Sequence, residues 1–316
     1  MKNKIKKRLI ELFLITFFVN LLFFSKESVE LASKGLLIWY KNMIPTLFPF
    51  MVLSGFLVRT GMAAKLSKVF YPALRYIFPA TPSMLYAIVM GFLCGFPMGA
   101  KVVSDLLESR QITPRQGEYL LAFCNNIGPL YMLGYVIPLF GWKNIFSIFT
   151  IMYGVPLIYG YLLSFLPSYR MLRGQTISTE RSNAPSVESY GSSFQASLEN
   201  AIQQISMLGG CMVFFNCLQI YPNLLRKYLP YTIRGFYDDF LYAPLCCLME
   251  IGGGLEKLMS TPIASTYMGL CYLTIGGLCC IIQTCFIIKE TPLKLEIYIR
   301  HKMVQTLLVF GLLLLL

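Results

Sequence analysis

The chain has 316 residues, 56% hydrophobic and 13% charged, with a mean hydropathy of +0.62. Apolar runs of about 20 residues recur from end to end, which excludes a water-soluble globule and predicts an all-α polytopic membrane protein. The net charge of +12 does not point to nucleic acid: Lys and Arg are spread over short loops without a basic stripe interleaved with aromatics, and such loop charge mainly sets orientation.

Ten cysteines sit mostly inside apolar runs and show no CxxC or Cys/His spacing, so they read as small reduced hydrophobes and no metal site is expected. The single histidine, His301, is expected in a solvated loop between Arg300 and Lys302. No Cys/His, Ser/Lys or HExxH arrangement is present, so neither an enzyme nor a cofactor is expected.

In chain order, the start "MKNKIKKRLIELFLITFFVNLLFFSKE" joins a basic head to a core of roughly 16 apolar residues with no small-residue cleavage site after it. It predicts an uncleaved anchor helix, 1–28, with its N-terminus in the cytoplasm. Apolar segments follow at 36–58, 84–107, 118–140, 144–166, 197–221, 238–258, 265–288 and 296–316. The stretch 167–196, rich in Ser and carrying Arg170, Arg173 and Arg181, predicts a mobile cytoplasmic linker between two halves, 29–166 and 197–316.

The segment "GFLCGFPMGA", 91–100, breaks an otherwise apolar run with three glycines and a proline. If 36–58 returns to the cytoplasm, Arg59, Lys65, Lys68 and Arg75 lie inside, and the basic linker places Arg110 and Arg115 inside as well. Segment 84–107 then enters and leaves on the cytoplasmic side as a re-entrant hairpin. A limb of about 11 residues to Cys94 reaches roughly 16 Å, about half of a 30 Å hydrocarbon core. The alternative is a small-residue packing stripe at Gly91, Gly95 and Gly99; Pro97 favours the break, because it removes a backbone donor.

"AFCNNIGPLY", 122–131, pairs the amides Asn125 and Asn126 with Gly128 and Pro129 inside another apolar run. Two amides at a helix break suit a polar solute, with a C-cap and turn as the plainer alternative. In the second half, Glu250 in "LMEIGGGLEKL" precedes three glycines. A mid-helix carboxylate costs about 3 kcal/mol on insertion scales, so Glu250 either lines a cavity and carries a proton or ion, or lies at the interface with Asp238, Asp239 and Glu256. Gln283 in "TIGGLCCIIQTC" is a polar handle beside Gly277. Lys101 and Asp105 face the solute or snorkel to the interface.

The two halves can be laid together as an inverted-repeat bundle with two re-entrant broken helices, although this arrangement leaves Arg226, Lys227, Arg234 and several basic residues of 289–302 outside.

The motifs "GFPMGAK" (95–101), "LLAFCNNIGPLYMLG" (120–134), "LMEIGGG" (248–254) and "GGLCCIIQ" (276–283) resemble the YlbJ family of sporulation integral membrane proteins. More broadly they resemble the nucleoside-recognition, or Gate, domain of spore maturation proteins, concentrative nucleoside transporters and ferrous-iron transporter B. The resemblance covers roughly 36–310. It departs at Met98, where Ser is usual, at Gly252, where a more polar residue is usual, and near Ile281, where a His is usual.

The resemblance implies two Gate-like repeats and a carrier of a small polar, nucleoside-like solute. Gly95, Pro97, Gly99, Lys101, Asn125, Asn126, Gly128, Gly277 and Gln283 would bind the solute, with Glu250 or Asp105 carrying a coupling proton or cation. The alternative it implies is a non-transporting protein of spore-envelope formation. The implied partners are the lipid bilayer, the solute, and other sporulation membrane proteins or a second copy of the chain.

Overall fold

A computed structural model describes residues 2–69, 71–74, 77–78, 80–169, 189–261 and 267–315. Among these residues regular structure is entirely helical. Five helical stretches are long and apolar enough to cross a membrane: Ser25–Arg59, Pro114–Phe140, Ile145–Leu163, Tyr190–Tyr228 and Met268–Ile288. The protein is a multi-pass membrane protein.

Helix α1 (Lys2–Phe23) leads into α2 (Ser25–Ile38), which a π turn at Trp39–Met43 carries into α3 (Ile44–Arg59). The short α4 (Met62–Ser67) and α5 (Tyr71–Leu74) precede a helical hairpin, α6 (Pro82–Cys94) and α7 (Met98–Glu108), whose limbs pack along one another. Helix α6 starts where the Thr81 hydroxyl accepts from the Met84 amide at 3.4 Å, with Pro82 in the first helical position. It stops at Gly95, where φ is +83°. With 13 and 11 residues, the limbs are about 20 and 16 Å long, each short of a 30 Å core.

Helix α8 (Pro114–Cys124) opens in a capping box of Thr113 and Gln116. Its ladder ends at Asn125, and Pro129 restarts the chain as α9 (Pro129–Tyr131), a π turn (Met132–Val136) and α10 (Ile137–Phe140). Helix α11 (Ile145–Leu163) closes the half.

A long helix, α12 (Tyr190–Leu218), is followed by α13 (Ile220–Tyr228) and α14 (Tyr231–Phe240). A hairpin follows, α15 (Tyr242–Met249) and α16 (Ile251–Met259), with Glu250 at its tip. Next comes a helix interrupted at Gly276, α17 (Met268–Ile275) and α18 (Gly277–Ile288), and then a final helix, α19 (Leu295–Leu313).

Helix α12 lies along α2 and α3 in the opposite direction: Gly35 faces Met212, Trp39 faces Ile205, and Gly55 faces Ser197. The seam is tight. A Cβ on Gly209 would stand 2.5 Å from the Trp39 ring, and the indole donates to the Ile205 carbonyl at 2.8 Å.

Two expectations change. The predicted linker yields its end to α12, which begins at Tyr190 where the Ser189 hydroxyl accepts from the Gly191 amide. Residues 170–188, with Arg170, Arg173 and Arg181, and Arg75 lie outside the described residues. His301 belongs to α19 and not to a loop; its Nδ1 lies 2.7 Å from the Tyr159 hydroxyl.

Candidate functional site

Glycines let backbone meet backbone where the breaks come together. A Cβ on Gly95 would stand 2.2 Å from the Gly128 amide nitrogen, and one on Gly128 would stand 2.5 Å from the Cys94 carbonyl oxygen. Gly91 and Gly99, on opposite limbs of the hairpin, would each meet the Cys124 carbonyl, at 2.3 and 2.4 Å. The first hairpin therefore seats its tip on the interruption between α8 and α9. In the second half, a Cβ on Gly277 would stand 2.8 Å from the Cys247 carbonyl, which seats the break between α17 and α18 against the second hairpin.

The two assemblies face one cavity. Its wall takes Phe96 from the first tip, Ile127 and Gly128 from the first interruption, Glu250 and Ile251 from the second tip, and Cys279, Cys280 and Gln283 from α18. Met43, Thr46 and Leu47, at and just after the π turn, Leu208 and Met212 of α12, and Cys94, Leu130 and Tyr131 beside the first tip complete it. The cavity has a volume of about 60 Å³. Its lining is mainly apolar, with Glu250 and Gln283 as its charged and amide groups.

Glu250 is 2% exposed and is the N-cap of α16. Its carboxylate accepts from the amides of Gly252 and Gly253, both at 2.8 Å, and from Asn216 Nδ2 at 3.0 Å. A carboxylate suits this place because the first amides of a helix lack partners and form the positive end of its dipole. The polar path continues outward: Gln219 donates to Asn216 Oδ1 at 3.5 Å, and Lys257 donates to Gln219 Oε1 at 2.6 Å. Glu250 lines the cavity, whereas Glu256 is exposed and accepts from the Tyr135 hydroxyl at 3.2 Å.

The paired amides are turned away from the cavity. Asn125 accepts from the Ala100 amide, an unpaired first-turn donor of α7, at 3.3 Å. Its Nδ2 donates to Thr284 Oγ1 at 3.1 Å and to the Tyr298 hydroxyl at 3.2 Å. Asn126 donates to the Phe123 carbonyl at 2.5 Å and accepts from Lys302 Nζ at 2.7 Å. Together these two side chains join α7, α8, α18 and α19.

Of the residues singled out from the sequence, Gly128, Glu250 and Gln283 line the cavity. Gly95, Gly99 and Gly277 pack directly behind the wall, and Pro97 follows the cavity-lining Phe96 as the N-cap of α7. Lys101 and Asp105 pair with each other one turn apart on α7, both largely buried. Asn216 and Lys302 escaped sequence reasoning. The signal for Lys302 was its register with Tyr298 and Gln305, which together with Val309 form the buried face of α19.

No family model matches the chain, and no solved structure does. The chain is similar to the sporulation integral membrane protein YlbJ of Bacillus subtilis (strain 168), with 30% identity over 134 residues. The aligned part is 42% of this chain and spans only 33% of the length of that relative.

Proposed function

We propose that the protein is a carrier, not a catalyst, for a small polar, nucleoside-like solute, and that the cavity among the four helix breaks is its site. The observation that carries this reading is the convergence of four interruptions on one cavity that holds Glu250 and Gln283. Interrupted backbone at membrane depth is tolerated where it is buried in protein or lines a cavity, and carriers place their sites at such interruptions.

The repeated order of elements, with α12 antiparallel to α2 and α3, supports an inverted repeat of Gate type. Limbs too short to cross the hydrocarbon core support two re-entrant hairpins. At about 60 Å³ the site is contracted, so a nucleoside-sized solute enters only as a hairpin tip moves. Of the two acids that could carry a coupling proton or cation, Glu250 is favoured, because Asp105 is engaged by Lys101. The similarity to a sporulation membrane protein supports a role for this carrier in spore formation.

The test is thermal stabilisation of the detergent-purified chain by nucleosides, nucleobases, small dicarboxylates and metal ions. A true solute raises the Tm of wild type and loses most of that effect in Gln283→Ala, whose side chain bonds only to the Cys279 thiol, at 3.1 Å, among the described residues. A flat response across the panel from well-folded protein overturns the carrier reading. One observation favours a second reading, a membrane component that works through protein partners: the lining is mostly apolar and the Glu250 carboxylate already accepts three hydrogen bonds from the chain itself. A stoichiometric partner, another sporulation membrane protein or a second copy, that co-purifies without ligand-dependent stabilisation supports it.

A further inference from the structure

A lysine buried inside the protein lies beside the first interruption, and the carrier reading makes no use of it. Lys302 is 1% exposed and forms no ion pair among the described residues. Its Nζ donates to Asn126 Oδ1 at 2.7 Å and Gln305 Oε1 at 3.2 Å, and it stands 5.0 Å from the centre of the Phe96 ring. Its titratable neighbours are the Cys124 and Cys280 thiols.

An isolated charge so deep in the protein is expensive, so what it faces matters. It faces the C-terminal end of α8. The last carbonyls of that helix lack helical partners and form the negative end of its dipole. Asn126 Nδ2 donates to the carbonyl of Phe123 at 2.5 Å, and Gln305 Nε2 donates to that of Ala122 at 2.7 Å. The oxygens of the same two amides then turn to Lys302. Each amide therefore passes the negative end of the helix on to the ammonium, and the aromatic face of Phe96 closes the shell. Two neutral amide oxygens and a ring face, backed by a helix C-terminus, are an environment for a monovalent cation, here filled from within.

We propose that Lys302 is a built-in cation: its ammonium occupies the place that the interrupted end of α8 would otherwise offer to an alkali-metal ion or a small alkylammonium. Helix α19 is thereby tied to α8 by a charge the chain supplies itself, and the wild-type break needs no ion from solution. The inference stands apart from the carrier reading, because its test reads stability alone and needs no solute.

The experiment follows thermal unfolding of the full chain in detergent for wild type, Lys302→Ala and Lys302→Met. Each is measured in sodium, potassium, methylammonium or choline chloride at one ionic strength. Wild type is expected to be indifferent to the cation. Lys302→Ala is expected to melt at least about 5 °C lower in choline and to recover part of that loss, saturably, in methylammonium or an alkali-metal salt. Lys302→Met fills the vacated space without charge, so it is expected to melt lower in all four salts without recovery. If Lys302→Ala yields no folded protein in choline, the readout becomes the yield of monodisperse protein extracted in each salt, with rescue by methylammonium, sodium or potassium expected. The proposal is overturned if Lys302→Met matches wild type, if no cation improves Lys302→Ala, or if wild type gains as much from a cation as Lys302→Ala does.

Discussion

At the tip of the second hairpin the free helix end is an N-terminus, and Glu250 caps it directly; at the interruption of α8 the free end is a C-terminus, and Lys302 reaches it through Asn126 and Gln305. The sign of each charge follows the dipole of the helix end it meets. The ranges differ. Glu250 binds amides two and three residues ahead in its own chain and Asn216 of α12, 34 residues away, so its partners all lie in its own half. Asn126 and Lys302 are 176 residues apart, so that arrangement exists only when both halves are assembled. The comparison teaches that the charge at the second tip is held within one half, whereas the first interruption is a joint between the halves.

The sharpest way to break the second device is Glu250→Ala. It leaves the Gly252 and Gly253 amides and the Asn216 side chain without their acceptor, at a position 2% exposed. Unpaired buried donors cost about 1–3 kcal/mol each, so a loss of about 4 kcal/mol is expected, read as a fall in Tm. Glu250→Gln keeps one acceptor oxygen but turns an amide donor toward other donors, and should lose about half as much. If Glu250→Ala melts like wild type, the carboxylate is not what closes the tip.

The first joint is tested by Gly95→Ala. The residue has φ +83° and ψ −166°, a region essentially reserved for glycine that costs a Cβ about 1–3 kcal/mol, and that Cβ would stand 2.2 Å from the Gly128 amide nitrogen. The obstacle is backbone, so the tip must move off the interruption; a loss of about 3 kcal/mol is expected. Gly134→Ala is the control, since nothing lies within 4 Å of the Cβ it would add. Equal Tm values for the two variants would show that the close approach of tip and break does not matter.

What the sequence disclosed follows the same divide. Glycine and proline inside apolar runs mark breaks whatever surrounds them, so the interruptions near Gly95, Asn125, Glu250 and Gly277 were legible; of the limbs, only the first was measured from the sequence, at about 11 residues where α6 has 13. The partners of the polar residues were not. Asn125 and Asn126 read as solute ligands because two amides exceed what a cap needs, yet their hydrogen bonds are taken by the Ala100 amide, the Phe123 carbonyl, Thr284, Tyr298 and Lys302. Three of those five partners lie in the other half of the chain. Lys302 read as one of three basic residues in a loop; only its place on the buried face of α19 separates it from Arg300, which is exposed.

The smallest expected effect distinguishes the joint from the tip most cleanly, because it removes a single hydroxyl on each side. Tyr298 accepts from Asn125 Nδ2 at 3.2 Å, and Tyr135 donates to the Gly252 carbonyl at 3.2 Å. Tyr298→Phe removes one of two acceptors of the Asn125 amide, with Thr284 retained at 3.1 Å, so about 1 kcal/mol is expected. Tyr135→Phe leaves the Gly252 carbonyl to its helix and the exposed Glu256 to water, so a few tenths of a kcal/mol is expected. The two substitutions differ more in coupling than in size. Asn125 spans both halves, so Tyr298→Phe should combine non-additively with Asn125→Ala, by about 0.5 kcal/mol or more. Tyr135→Phe should add to Asn125→Ala without interaction. Additive behaviour of the Tyr298 and Asn125 pair in a double-mutant cycle of Tm shifts would mean that the interruption of α8 is held by its own half, and the contrast between the two ends would disappear.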